Sequence, residues 1–240
     1  MADPPSPMAD PPSDRSYRMP GRLGHRPHRA AIVLAGGGAR RWGGTDKTAA
    51  PLDGRPVLAH VVQGLPPGIP VIVVGPADHT FAAAADPGSV RWTREEPAGG
   101  GPLAALAAGV AALPDATEEV VVLAGDRPGG PAAVPRLLAA LAAGDADAAI
   151  GLDPEGRAQP LLAAYRVATL RARLALPAKH LVGLPMRWLL ERVRRVDVAV
   201  TTEEAFDLDT PADLEALRAR RAGRAGPGGP AAGTRRGEEP

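Results

Sequence analysis

The chain has 240 residues, 45% of them apolar but only 3% aromatic, so a core of ordinary domain size must be built from Ala, Val and Leu, the residues of buried parallel strands and their covering helices. Lys plus Arg number 28 against 27 Asp plus Glu, a formal charge of +1, which leaves no global field to draw the protein to nucleic acid or an anionic membrane. Cysteine is absent, excluding disulfides, thiolate catalysis and cysteine-ligated zinc; no apolar run approaches the roughly 18 residues of a membrane span, and a soluble cytoplasmic protein is expected.

Residues 1–29, with a tandem MADPP, and residues 222–240, rich in Gly, Ala, Pro and Arg, offer too few periodic apolar positions to offset the entropy of ordering. They are predicted to be disordered tails around one domain at 30–221. Within it, AAIVLAG, VIVVGP and EVVVLAGD are short β-branched runs that each end in Gly, Pro or Asp, the pattern of buried strands. The intervening GRPVLAHVVQGL, GPLAALAAGVAALP and AVPRLLAALAAG read as helices. Two further strands are predicted at DAAIGLD and AQPLLAAYR, followed by a helical stretch containing MRWLLERVRR. VDVAV, FDLDT and a last helix at PADLEALRARR close the domain; Thr210 suits the cap, Pro211 the first turn and Asp213 the positive end of the dipole.

This alternation predicts an α/β fold, a Rossmann-like three-layer sandwich with a mostly parallel central sheet and right-handed crossovers. Ligands of such sheets bind beyond the carboxyl ends of the strands. A glycine-rich loop, LAGGGARRWGGTDK at residues 34–47, and Asp126 both fall there. The loop is not a Walker A motif, because Gly38 and Gly43 are followed by Gly44 where that motif needs lysine. Nor is it a dinucleotide fingerprint, since Arg41 stands where the third glycine belongs. Two readings stay open on the loop alone. Ala35, Gly36 and Gly37 can turn backbone amides toward a nucleotide, with Arg41 and Lys47 bringing charge to its phosphates; or the segment is a flexible turn with incidental charges.

Together with three later stretches, the loop resembles the molybdenum cofactor guanylyltransferase group of small nucleotidyltransferases, over about residues 30 to 218. The resemblance implies a fold of the nucleotide-diphospho-sugar transferase type. It implies that the backbone of Leu34, Ala35, Gly36 and Gly37, with Gly75 and Gly101, meets the nucleotide, that Arg41 meets its phosphates and that Lys47 supports the reacting phosphate. Trp42 stands for a usual methionine. EEPAGGGPLAALAAG is similar to a segment in which an acidic residue binds the nucleoside; spacing to Gly101 puts Glu95 there, with Glu96 as the alternative. VVVLAGDRP resembles the strand end bearing the metal-binding aspartate, here Asp126, with Gly125 for a usual cysteine. FDLDTPADLEAL resembles the closing signature, giving Asp209 as a second metal ligand and Asp207 as a weaker partner.

The implied reaction moves GMP from GTP to the phosphate of a pterin acceptor with Mg²⁺ as cofactor and pyrophosphate as product. Arg41, Lys47 and Asp126 would carry catalysis. None of the five histidines lies in these motifs, which suits a reaction whose nucleophile, a phosphate oxygen, needs no base. The family places a Gln-Pro or His-Pro segment near the acceptor, here Gln159-Pro160, and Arg187 is a candidate for the acceptor phosphate. A related nucleotidyltransferase using CTP or another phosphorylated acceptor, or a non-catalytic nucleotide-binding domain, is the alternative. A monomer or small homo-oligomer, with a molybdoenzyme or cofactor-biosynthesis partner, is expected.

Overall fold

The computed structural model describes residues 28–36, 42, 46–76, 90–191 and 193–224; most of both expected tails, together with Gly37 and Arg41, lies outside them. In chain order the strands are β1 (Arg29–Leu34), β2 (Pro51–Leu52), β3 (Arg55–Pro56), β4 (Val71–Val74), β5 (Val90–Thr93), β6 (Glu119–Ala124), β7 (Ala148–Leu152), β8 (Ala158–Arg166) and β9 (Arg195–Ala199). The helices are α1 (Val57–Gln63), α2 (Pro102–Ala111), α3 (Val134–Ala142), α4 (Val167–Arg173), α5 (Ala178–Leu181), α6 (Arg187–Leu190) and α7 (Pro211–Arg224).

Seven strands form one sheet in the order β5-β4-β1-β6-β8-β7-β9. The half from β5 to β6 is parallel, as the apolar runs predict. β8 runs antiparallel to both its neighbours, and β9 pairs parallel with β7. Because side chains alternate along a strand, β1 feeds two cores. Ala30, Ile32 and Leu34 join Leu103, Leu106 and Val110 of α2 and Leu170 of α4 on one face. Ala31 and Val33 join Val61 of α1 and Leu137, Leu138 and Leu141 of α3 on the other. Burial on both faces is why β1 and β6 read as continuous apolar runs rather than alternating ones.

Two expectations change. The segment from Gly54 does not enter a helix directly: Asp53 and Gly54, with φ of 50° and 77°, turn the β2–β3 hairpin first, and α1 starts at Val57. Asp-Gly with both φ positive is a favoured two-residue hairpin turn. Among the described residues of MRWLLERVRR, Arg187–Leu190 alone is helical, and Arg195 already opens β9. There Val196 and Val198 pack against the second core while Arg195 and Asp197 stay exposed, a period of two that belongs to a strand.

Between β9 and α7 a turn is closed reciprocally: the Thr201 amide donates to Glu204 at 2.8 Å, and the Glu204 amide donates to the Thr201 hydroxyl at 3.2 Å. Arg136 of α3 donates to the same carboxylate at 2.7 Å. Burial raises the Glu204 pKa, but the Arg136 hydrogen bond and charge and the Thr201 contacts outweigh it, so the group sits below its ordinary 4.5. A depressed carboxyl stabilises the fold above its unfolded pKa, and the contribution is lost as pH falls through the folded value. Glu204→Gln is therefore expected to cost about 1 kcal/mol at pH 7, a figure kept small because Arg136 is half exposed. The difference from the parent should shrink below about pH 4 in denaturant titrations; a gap that stays constant through that range would show the charge is irrelevant.

Candidate functional site

The site lies beyond the carboxyl ends of the parallel strands. β1 ends at Leu34 and is followed by Ala35 and Gly36; the Ala35 amide donates to the Val74 carbonyl and the Gly125 amide to the Leu34 carbonyl, both at 2.8 Å, so the ladder runs past the strands and fixes the loops that follow. Two residues after β6 comes Asp126. Lys47 opens a short 3-10 turn whose cap is Asp46: its carboxylate accepts from the Thr48 amide at 2.9 Å and the Thr48 hydroxyl at 2.8 Å. The Lys47 ammonium meets Asp126 Oδ2 in an ion pair and Asp209 Oδ1 at 3.4 Å. Burial alone lowers the Lys47 pKa; Asp126 first, and then Asp209, outweigh it and hold it above its ordinary 10.5. A raised lysine stabilises below its unfolded pKa and loses that contribution only as pH rises through the folded value. Lys47 is thus a fixed cation at neutral pH.

Asp209 is held from several directions. Its amide donates to Asp213 Oδ2 at 3.0 Å, and the same oxygen accepts from the Thr210 amide at 2.7 Å and the Thr210 hydroxyl at 2.9 Å. Asp213 therefore does more than favour a helix dipole: it shapes the turn that presents Asp209. The Leu208 amide donates to the Asp126 carbonyl at 3.1 Å, joining the two carboxylate-bearing segments by backbone. Trp42 donates from Nε1 to the Asp209 carbonyl at 3.1 Å and packs on the Leu52, Leu208 and Leu214 cluster. A methionine there has no donor for that bond.

Beside this centre opens a cavity of about 580 Å³, within the range of small-molecule sites. Leu34, Ala35, Gly36, Lys47, Gly75, Glu95, Gly101 and Asp126 all line it. Glu95 accepts from the Gly99 amide at 2.9 Å, whereas Glu96 is exposed and lines no part of it. Gly101 caps α2 with Pro102 at the first turn, so the positive end of a 10-residue helix faces the cavity. Asp46, Pro76, Arg94 and Leu161 also line it. Of these, only Asp46 had a sequence signal, the Asp-x-Thr of a local side-chain turn.

A neighbouring cavity of about 540 Å³ is lined by Gln159, Asp207 and Asp209 among others. Asp207 does not join Lys47 as a carboxylate partner; Arg127 takes it, with Nε on Oδ1 and Nη2 on Oδ2, both 2.8 Å. Of the arginines in MRWLLERVRR, Arg194 pairs with Asp147 and Arg195 with Asp197, while Arg187 is exposed and absent from the walls of both cavities. Arg192, like Arg41, lies outside the described residues.

Whether the site suits a divalent cation is decided by its donors. Two carboxylates from segments 83 residues apart, Asp126 and Asp209, converge on one cationic group, the Lys47 ammonium. Mg²⁺ takes hard oxygen ligands and asks the protein for one or two carboxylates, the rest coming from phosphates and water. The residues fit that ion.

A sheet of this topology, with a cavity, a half-buried cation and two carboxylates at its carboxyl edge, defines an α/β protein whose ligand site lies beyond the strand ends. Residues 31–196 match the family described as MobA-like NTP transferase domain. The chain is 33% identical over 206 residues to the molybdenum cofactor guanylyltransferase of Burkholderia lata, covering 81% of this chain and 97% of that protein. It is 37% identical over 131 residues to the one from Cupriavidus taiwanensis, where it spans 53% of this chain and 64% of the relative, less than two thirds of its length. Among solved structures it superposes on molybdopterin-guanine dinucleotide biosynthesis protein A from Archaeoglobus fulgidus with a TM-score of 0.61 at 21% identity, covering 81% of this chain and 99% of that one, a likeness of fold. The chain belongs to the MobA-like NTP transferase family.

Proposed function

We propose that the protein is a molybdenum cofactor guanylyltransferase, transferring GMP from GTP to the phosphate of molybdopterin. The observation that carries this reading is the Lys47 ammonium held between Asp126 and Asp209 at the edge of the 580 Å³ cavity. The related proteins named above support the choice of substrates.

In this reading the nucleotide lies in that cavity, its base toward Glu95 and its phosphates toward the amides after β1 and the ammonium of Lys47. The acceptor comes from the 540 Å³ side, where Asp209 and Gln159 offer acceptors to the N–H edge of a pterin. An acceptor phosphate oxygen attacks the α-phosphorus in line; the new P–O bond forms as the bond to the β-phosphate oxygen breaks, and pyrophosphate leaves with that electron pair. Such a transfer needs positioning and charge stabilisation rather than a base. Lys47 balances charge growing on the α-phosphoryl oxygens, and Arg41 meets the departing pyrophosphate. Asp126 and Asp209 would hold Mg²⁺, which when bound supplies further positive charge to the triphosphate. The reading carries with it a cytoplasmic location, where nucleoside triphosphates are available.

The test is thermal stabilisation by GTP, CTP and ATP with and without Mg²⁺. At a hundredfold excess over Kd a ligand adds about 2.7 kcal/mol of stability, and the shift is expected with GTP and Mg²⁺ well above the other pairs. Equal shifts with all three nucleotides would remove the guanine assignment.

A further inference from the structure

Arg127 follows Asp126 in the chain, yet nothing in the proposed reaction uses it. Its side chain is 4% exposed, and three of its contacts are polar: Nε and Nη2 grip the two Asp207 oxygens at 2.8 Å each, and Nη2 also reaches Gln159 Oε1 at 3.0 Å. Gln159 is itself pinned, donating to Asp153 at 2.8 Å. Meanwhile Nη1 is buried with no hydrogen-bond partner among the described residues. A guanidinium buried with one arm unsatisfied is a poor device for stability alone, since such a donor forfeits its hydration. Its place in the fold is informative instead: one end is covalently next to Asp126, and the other grips a residue two positions before Asp209.

We infer that Arg127 is a positioning residue, a clamp that holds the Asp207–Asp209 segment against the end of β6 so that Asp126 and Asp209 share Lys47. The Leu208 amide also donates to the Asp126 carbonyl at 3.1 Å and Lys47 bridges the two carboxylates, but one backbone bond and one flexible side chain leave the angle between the two segments open. The bidentate grip removes that freedom, because a planar guanidinium fixes both the distance and the plane of its carboxylate partner. Through Gln159 the same group also ties in the start of β8, at the wall of the 540 Å³ cavity.

The experiment compares Arg127→Met, Asp207→Asn and the double variant. Arg127→Met is expected to lower kcat about 10- to 100-fold, the cost of sub-ångström misplacement of groups by a residue outside the chemistry, with KM for GTP changed by less than about threefold because Arg127 does not line the nucleotide cavity. Asp207→Asn should resemble it, and the double variant should be no worse than the more impaired single, as for two halves of one contact. Retained kcat, or single effects that multiply in the double variant, would overturn the clamp.

This inference uses the proposed transfer reaction for its kinetic readout, so a second readout is independent of turnover. Trp42 donates to the Asp209 carbonyl, and it is one of three tryptophans. In a Trp92→Phe, Trp188→Phe background its fluorescence reports the Asp209 segment. Arg127→Met should make Trp42 more accessible to acrylamide, and Arg127→Lys, which keeps the charge but cannot grip both oxygens, should fall between it and the parent. Unchanged quenching in both variants would sink the clamp. A parent protein that transfers no nucleotide would count against the proposed function only, with quenching still deciding this inference.

Discussion

Asp126→Ala is expected to reduce pyrophosphate release by about 10³-fold or more while the protein still folds. Preorganised charge at the reacting phosphates is a large share of catalysis in such transfers, and removing a single well-placed group from a site of this kind costs about 10²–10³. Asp126 stands in two roles at once: it is the closest partner of Lys47, and it is one of two candidate ligands for the cation. Its loss leaves Lys47 with Asp209 alone, at 3.4 Å. Stability should change by no more than about 1 kcal/mol, because the side chain is not in either core and its contact is an ion pair at a partly open site. Pyrophosphate release and thermal melting measured on the same preparation separate the two effects. Turnover within tenfold of the parent would mean that the metal and the reacting phosphate lie elsewhere.

Gly75→Ala is expected to destabilise the fold by about 2 kcal/mol and to weaken GTP binding at least tenfold. A β-carbon at this position would stand 2.9 Å from the Ala35 carbonyl carbon and 3.1 Å from both the Ala35 oxygen and the Gly36 nitrogen. All three are backbone atoms, so no flexible side chain can swing aside, and the end of β1 must move. That segment is a floor of the nucleotide cavity, which couples the packing fault to binding. For a domain of this size the expected stability loss corresponds to a melting temperature lower by roughly 4–8 °C. A variant that melts lower but binds GTP normally would show that the β1 loop relaxes without disturbing the cavity.

How much of this was legible in the sequence follows from which forces are local. The continuous apolar runs of β1, β4 and β6 and the leucine spacing of α3 encode burial directly, so the parallel half of the sheet could be read from them. The β2–β3 hairpin carries a usable signal, Asp53-Gly54, but Gly54 reads as the start of a helix because the apolar periodicity of α1 begins three residues later, at Val57. At β9 the alternation of Val196 and Val198 competes with the arginines before it, and only pairing with β7 shows which residues enter the sheet. Lys47, Asp126, Glu95 and the glycines could be proposed from motif resemblance, and the folded chain brings the described ones to one cavity wall.

Other features had no local signature. Nothing in the sequence tells that Arg127 and Asp207, 80 residues apart, form a bidentate pair, that Trp42 meets the Asp209 carbonyl from 167 residues away, or that Asp207 turns from Lys47 toward that arginine. The sequence by itself determined the class of fold, because burying both faces of strands imposes an apolar pattern that each segment carries alone, and it determined which charged residues end those strands. Only the tertiary structure decided which carboxylates share a cation, because that depends on how the segment after β9 returns across the sheet, and charge pairing over long loops is settled by geometry that no single segment contains.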